Sequence, residues 1–180
     1  SSHSSPLADE FLAPGTCIER YELVERLGAG GMGVVYKAFD TQLSRHVALK
    51  FLHHSTNHLD WLAKADVYRE RLLREAQALA KLSHPNVVSI FDVSEHQGAV
   101  FLAMELIEGV SLSSWVRERR PRKRAVLRAL IDAGRGLAAA HQAGVLHRDF
   151  KLCNVMISAD GRVSVLDTRG TSGQRWRRQR

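Results

Sequence analysis

The first half of the chain contains short, mostly apolar segments separated by polar and glycine-containing segments, a pattern typical of buried β-strands. Two of these segments flank a glycine cluster at residues 28–33, so we expect them to pair as a hairpin. β-branched and aromatic residues are frequent in these segments, which favours extended structure. The pattern predicts five strands, at residues 21–27, 34–39, 46–52, 87–93 and 99–106.

Helical periodicity appears in three other segments. Residues 66–82 repeat apolar positions at helical spacing, and the helix is expected to end before Pro85, because the residue before a proline avoids helical geometry. Two further helices are predicted at 112–119 and 122–143, separated by Pro121. The longer helix is apolar on more than one face, which predicts burial on several sides.

A small hairpin is predicted after the long helix. Apolar segments at 155–157 and 163–166 flank the turn sequence Ala159-Asp160-Gly161. Apolar patterning stops after Asp167. Five strands with one helix, followed by helices with a hairpin, indicate an α+β fold with two lobes of different class.

The composition fits one ordinary globular domain or two small lobes. The 180 residues are 44% hydrophobic and 25% charged. The sequence contains no apolar run long enough for a membrane span, and residues 1–10 do not resemble a secretory signal. The chain starts Ser-Ser-His-Ser-Ser-Pro, and residues 1–20 are interpreted as a flexible leader. Two distant cysteines, Cys17 and Cys153, predict a reducing, cytoplasmic location rather than a disulfide framework.

The net charge of +7 arises mainly from the last thirteen residues, 168–180, which hold five arginines and no acid. Nucleic-acid binding through this tail is kept as a disfavoured alternative. A second basic run, at 117–124, is interpreted as a solvated helix junction. His53, His54 and His58 are interpreted as a solvated loop, because no carboxylate or cysteine joins them at metal-ligand spacing.

The glycine cluster fits two kinds of nucleotide site. Residues 28–35 read Gly-Ala-Gly-Gly-Met-Gly-Val-Val, which matches G-x-G-x-x-G-x-V. A dinucleotide site of the Rossmann type needs a helix after the glycines and an acid about 20 positions further on. Here a strand follows, and His53 stands at that position. A glycine hairpin that folds over nucleotide phosphates is therefore favoured.

A lysine interrupts the apolar strand that follows. Lys50 ends the sequence Val47-Ala48-Leu49-Lys50, and an ammonium directed at phosphates and held by a carboxylate would explain it. Glu75 is the candidate carboxylate and Glu70 the alternative. An ordinary lysine at a strand edge is the competing explanation.

The loop after the long helix concentrates chemically active groups. Residues 147–154 read His-Arg-Asp-Phe-Lys-Leu-Cys-Asn. Asp149 can accept a hydrogen bond from an attacking hydroxyl, and Lys151 can neutralise a transferring phosphoryl group. Asn154 can bind a divalent cation through its amide oxygen, and Asp167 can supply an anionic metal ligand.

In this order the motifs resemble the protein kinase family, most closely bacterial serine/threonine kinases of the eukaryotic (Hanks) type, over about residues 20–167. The resemblance implies a five-stranded antiparallel small lobe with one helix at 21–107, and an incomplete helical large lobe with the catalytic loop at 108–167. It also implies ATP, Mg²⁺ (with Mn²⁺ as the alternative cation) and a protein substrate with serine or threonine.

The resemblance also implies a role for each matching residue. Lys50, paired with Glu75, would hold the α- and β-phosphates, and Asp149 would be the catalytic base. Lys151 is similar to the lysine of the serine/threonine subclass, and Asn154 and Asp167 would bind the metal. The other residues implied to contact ATP are Leu27, Gly28, Gly30, Gly33, Val35, Ala48, the gatekeeper Met104, Glu105 and Ile107 with backbone hydrogen bonds, and Met156.

The resemblance breaks at Asp167-Thr168-Arg169, where the family has Asp-Phe-Gly. We therefore expect a kinase domain that is truncated after Asp167, with weak or absent catalysis in this form. Residues 168–180 would form a basic, disordered tail of the kind that a shifted reading frame or a truncated gene produces. The long helix would expose its second apolar face. The alternative is a non-catalytic ATP-binding or interaction module of the pseudokinase type. Four retained residues argue against it: Lys50, Asp149, Asn154 and Asp167.

Overall fold

A computed structural model describes residues 12–30, 33–52, 70, 73–74, 76–77, 80–145, 147 and 150–166. The first part is a six-stranded antiparallel sheet with the strand order β1-β2-β3-β4-β6-β5. Its strands are β1 (Cys17–Ile18), β2 (Tyr21–Gly30), β3 (Gly33–Asp40), β4 (Arg45–Leu52), β5 (Ile90–His96) and β6 (Ala99–Glu105). Every described residue between 70 and 80 is helical, in agreement with the prediction for 66–82.

The second part combines two helices with a three-stranded sheet of order β7-β8-β9. Its elements are β7 (Gly109–Ser111), α1 (Leu112–Arg119), α2 (Lys123–Gln142), a 3₁₀ turn (Leu152–Asn154), β8 (Val155–Ser158) and β9 (Val163–Val165). Both predicted helices and the predicted hairpin are present, and the α+β class is confirmed. The predicted loop with His53, His54 and His58, and the predicted tail at 168–180, lie outside the described residues.

The sheet has six strands where five were predicted, because β1 falls inside the predicted leader. Ile18 of β1 is fully buried in the core of the sheet. The backbone N–H of Leu12 donates to the Tyr36 hydroxyl at 3.0 Å. Residues 12–20 therefore belong to the folded body, and the flexible leader predicted for 1–20 is wrong over that part.

β5 begins and ends three residues later than predicted. Its hairpin with β6 turns on two residues, Gln97 and Gly98, which both have positive φ (49° and 81°). Such a turn matches the twist of the paired strands, and glycine at its second position adopts the required positive φ without steric cost. Val87 and Val88, predicted as strand residues of this segment, instead contact β9, where the Val88 N–H donates to the Val165 carbonyl at 3.0 Å.

The hydrophobic core lies on one face of the six-stranded sheet. Strand periodicity directs alternate residues of β3, β4 and β6 into this core. Its aromatic centre is Phe101, whose ring lies 6.0 Å from Tyr21 and 5.7 Å from Phe51. The intervening residues of the same strands project from the opposite face, which is thereby available for a site.

Helix α2 buries one face of small residues and exposes the other. A Cβ on Gly136 would lie 2.3 Å from the Asn86 carbonyl oxygen, so the helix packs directly on that backbone. On the opposite face Leu127 is 59% and Ile131 49% exposed. The prediction of burial on several sides is wrong, whereas the expected exposure of a second apolar face is confirmed. Within the part of the chain described above, no helix has the length and apolar character needed to cross a membrane.

Candidate functional site

The β2–β3 hairpin brings backbone close to β4. Gly28 pairs with Val35, and Gly30 pairs with Gly33 at the tip. Gly33 has φ +152°, and a Cβ built there would lie 2.1 Å from the Phe51 carbonyl oxygen. Glycine is therefore required at this position on both conformational and steric grounds. The hairpin carries the predicted phosphate-binding glycines along one edge of the free sheet face.

The face of the six-stranded sheet opposite its core carries the predicted roof residues Val35 and Ala48, together with Lys50. In register, Val35 of β3 lies beside Lys50 of β4, and Ala48 lies beside Met104 of β6. Lys50 is only 2% exposed. Lysine is almost never buried without a compensating group, so this position is specialised for charge. An ordinary edge lysine is excluded, because β4 lies between β3 and β6.

The described helical residues at 70–80 cover the far end of this face. Leu73 and Ala76 pack in one cluster with Leu102, the register neighbour of Lys50. The Glu70 side chain is 66% exposed and pairs with Arg74 at 3.5 Å. The alternative assignment of Glu70 as the partner of Lys50 is therefore wrong. The first candidate, Glu75, lies outside the described residues.

An apolar cluster closes the site from the second sheet. Ile107 and Met156 are buried together with Val88, and Met104 and Leu166 pack against them. Met156 projects from β8 on the face opposite Val155 and Ile157, which belong to the core beneath α1 and α2. The structure therefore brings together three residues of the predicted adenine pocket: the gatekeeper Met104, the floor residue Met156, and Ile107. The predicted roof residue Leu27 is half-buried on β2.

The segment that joins the six-stranded sheet to the three-stranded sheet, beginning at Glu105, is fixed by hydrogen bonds. The Glu105 backbone N–H donates to the Ser89 carbonyl at 2.9 Å. This N–H is therefore engaged within the chain and is not free to donate to a ligand. The Glu105 side chain pairs with Arg162 of the β8–β9 turn. The segment is consequently anchored both by its backbone and by a side chain of the second sheet.

The predicted catalytic loop is tied to the residue that precedes Asp167. The Asn154 carbonyl accepts from the Leu166 N–H at 2.8 Å, and the ring Nε2 of His147 lies 3.0 Å from the Leu166 carbonyl oxygen. Asn154 is 2% exposed, and its Oδ1 accepts from the Cys153 thiol at 3.6 Å. Lys151 is half-buried in the same loop. The remaining predicted residues of this group, Asp149 and Asp167, lie outside the described residues.

No role was predicted for His147 or Arg162. The buried His147 ring also packs edge-to-face on Phe150, with centroids 5.6 Å apart, so it positions the loop. A histidine at the start of the motif was the available signal. Arg162 follows the turn glycine Gly161, and nothing in the local pattern indicated its distant partner.

The described geometry joins a glycine hairpin, a buried lysine, an apolar slot between two sheets and a polar loop. The sequence matches the protein kinase domain over residues 21–173. The chain belongs to the protein kinase family.

The named relatives are bacterial serine/threonine kinases. The chain is 39% identical to the serine/threonine-protein kinase PknB of Mycobacterium tuberculosis over 160 residues, which are 86% of this chain and 24% of that protein. It is 38% identical to the probable serine/threonine-protein kinase pknA2 of Bifidobacterium longum over 159 residues, 86% of this chain and 20% of that protein. The chain thus spans a fifth to a quarter of these curated relatives.

Solved kinase structures share the fold. The kinase domain of Mycobacterium tuberculosis PknI matches with a TM-score of 0.73 and 29–30% identity, covering 90–91% of this chain and 63–65% of that one. The apo form of PpkA-294 matches with a TM-score of 0.73 and 25% identity, covering 87% and 61%. The kinase-like architecture predicted from the sequence is confirmed. Membership of the family implies ATP, a divalent cation and a protein substrate in general terms.

Proposed function

We propose that this chain holds the nucleotide-binding lobe and catalytic loop of a serine/threonine protein kinase, which transfers the γ-phosphoryl group of ATP to a protein hydroxyl. The single observation that carries the proposal is the buried Lys50, set between Val35 and Leu102 beside the glycine hairpin. A cation withdrawn from water at this place is suited to an anionic ligand. We assign residues 21–107 and 108–167 to the two lobes.

The apolar slot fits the adenine base. Val35 and Ala48 would contact one face of the ring from the six-stranded sheet, and Met156 would contact the other from β8. Met104 and Ile107 would border the edge of the ring, with the Glu105 carbonyl as the proposed hydrogen-bond acceptor. The Gly28, Gly30 and Gly33 backbone would then cover the phosphates beside Lys50.

The loop supplies the groups for phosphoryl transfer. ATP, when bound, provides the transferable phosphoryl group, and Mg²⁺ (or Mn²⁺) neutralises its charge. The buried Asn154 amide and the Asp167 carboxylate offer oxygen ligands, which suit a hard divalent cation. Asp149 would accept the proton of the attacking hydroxyl, and Lys151 would balance charge on the transferred group.

A protein with an accessible serine or threonine is the proposed substrate. The names of PknB and pknA2 describe those proteins as serine/threonine kinases, and Lys151 agrees with that subclass. The expectations of a cytoplasmic location and of no nucleic-acid partner stay predictions.

A second candidate is an ATP-binding module that does not transfer phosphate. The observation in its favour is Asp167-Thr168-Arg169, which departs from the family's Asp-Phe-Gly beside the proposed cation site. Both candidates require ATP binding. They differ in the phosphoryl-transfer step, which depends on accurate positioning of the reacting groups.

Radiolabelled ATP separates the candidates. The 180-residue chain is incubated with γ-labelled ATP, Mg²⁺ or Mn²⁺ and a generic basic protein, beside the Asp149→Asn variant. Label on serine or threonine that is lost in Asp149→Asn supports the kinase. ATP binding without transfer supports the second candidate, and absence of both binding and transfer contradicts both.

A further inference from the structure

A groove lies on the side of the second sheet that faces away from the proposed ATP site. It is a cavity of about 590 Å³ between α1, the first half of α2 and the β7–β9 sheet. We call it the α1–α2 groove. Its floor is apolar, and its rim carries two acids and two arginines. The floor residues are Val110, Trp115, Ala125, Ala129, Ile157 and Val163, and the rim residues are Glu118, Arg119, Arg128 and Asp132.

The groove and the proposed ATP site use opposite faces of one strand. Ile157 lines the groove, whereas its neighbour Met156 belongs to the apolar cluster of the nucleotide site. Alternate residues of a strand point to opposite faces. A ligand in the groove would therefore not occupy the ATP site, and both sites could be filled at the same time.

The two acids of the rim are already neutralised. Glu118 pairs with Arg117 at 3.2 Å, and Asp132 pairs with Arg135 at 2.8 Å. Neither of these arginines lines the groove.

The two arginines of the rim form no ion pair with the described residues. Arg119 and Arg128 are both exposed and lie at the end of the groove nearest the α1–α2 junction. Three further basic residues, Arg122, Lys123 and Arg124, are exposed in the same junction. The junction therefore presents a concentrated positive charge beside an apolar floor.

The junction backbone is also set in a defined conformation. Arg120 caps α1 at φ 44° and ψ 55°, a left-handed conformation that non-glycine residues rarely adopt. Pro121 follows and limits the chain further. The basic residues thus extend from a constrained turn rather than from a loose loop, which lowers the entropic cost of binding.

We propose that the α1–α2 groove is a docking site for a protein segment that carries acidic residues beside an apolar anchor. The apolar floor binds the anchor, and Arg119 and Arg128 form ion pairs with the carboxylates. The apolar floor would contribute more to binding a peptide with an apolar anchor than to binding a phosphate backbone, so a peptide is favoured. The proposal does not rest on phosphoryl transfer, because it concerns a separate face of the sheet.

A peptide array provides the test. The 180-residue chain is applied to 12-residue peptides in which Asp or Glu and Leu, Ile or Phe occupy every relative register. Matched arrays replace the acids by lysine or the apolar residues by serine. The expected result is binding that is concentrated in the acidic–apolar set. Equal binding to all three sets, or binding to none, would overturn the proposal.

Variants locate the binding. For the best peptide, Arg119→Gln combined with Arg128→Gln should weaken binding at least tenfold, whereas the distant control Arg74→Gln should change it less than twofold. All of these residues are exposed, so the fold should survive, and thermal melting checks this. Saturating Mg-ATP should leave the affinity within about twofold. An equal loss of peptide affinity in the double variant and in the Arg74→Gln control would overturn the proposal.

Other occupants are distinguished in the same experiment. A single-stranded oligonucleotide and vesicles of anionic phospholipid are tested against the same variants, and sedimentation measures self-association. Tighter binding of either anionic probe than of the peptide, with the same dependence on Arg119 and Arg128, would overturn the peptide assignment. So would a dimer that the double variant dissociates.

Discussion

Glu105, the last residue of β6, accepts hydrogen bonds from both terminal nitrogens of the Arg162 guanidinium in the β8–β9 turn, with 3.4 Å between Nη1 and Oε2. The two residues are 57 positions apart. Glu105 belongs to the six-stranded sheet, and Arg162 lies in a turn of the three-stranded sheet. The pair therefore joins the two sheets at the segment where Met104 and Met156 approach each other. It sets the spacing of the slot proposed for adenine.

A double-mutant cycle measures this connection. Glu105→Gln and Arg162→Gln should show a coupling of ~1 kcal/mol in the free energy of unfolding, because two-point arginine–carboxylate pairs are stronger than single surface contacts. Urea unfolding of the four proteins gives the value. The exposed pair Glu70–Arg74 is the control and should couple by ~0.3–0.5 kcal/mol. Additive effects of the Glu105 and Arg162 changes would refute the connection.

Two glycines of α2 should respond in opposite directions to alanine. Gly136 contacts the Asn86 backbone, so Gly136→Ala should lower the free energy of unfolding by about 2–3 kcal/mol through overpacking. Gly134 is exposed with no atom within 4 Å of a built Cβ, so Gly134→Ala should raise it by about 0.5–1 kcal/mol. Denaturant unfolding of both variants tests the close approach of α2 to the Asn86 backbone. Similar changes in the free energy of unfolding for the two variants would be inconsistent with that approach.

Tyr21 links stability to alkaline pH. Burial, reinforced by a hydrogen bond from its hydroxyl to Asp92 at 3.0 Å, raises its pKa to about 12. An unfolded tyrosine titrates near pH 10. The stabilisation is therefore complete below about pH 10 and is lost as the pH rises through 12, because the unfolded state then loses the proton first.

Tyr21→Phe should accordingly lower the free energy of unfolding by about 1–2 kcal/mol near neutral pH. The difference from the unmodified chain should shrink between about pH 10 and 12. Urea unfolding across this range provides the measurement, and tyrosinate absorbance reports the titration directly. A difference that stays constant to pH 12 would contradict the assigned hydrogen bond.

Periodicity predicted the elements that carry their own pattern. The short apolar run around Lys50 predicted β4, and the helical repeats on either side of Pro121 predicted α1 and α2. The grouping of Val35, Ala48 and Lys50 at one site was implied by the family resemblance, and the strand register places them on one face. These features depend on local sequence and on one general rule of side-chain direction.

The missed features depend on contacts distant in sequence. β1 has two residues and β7 three, too few to show a period, and each exists because it pairs with another strand. The register of β5 depended on turn chemistry at Gln97. The Glu105–Arg162 pair and the α1–α2 groove arise only when separate segments pack together.

Thermal melting with and without Mg-ATP tests the central claim most directly, that the free sheet face around Lys50 forms an ATP site. At 100-fold excess over the dissociation constant, ATP should raise the melting temperature by about 5–10 °C, because it binds only the folded state. Lys50→Met should abolish this shift, and the exposed control Lys81→Met should retain it. A cooperative melt with no shift, or an equal shift in Lys50→Met, would contradict the account.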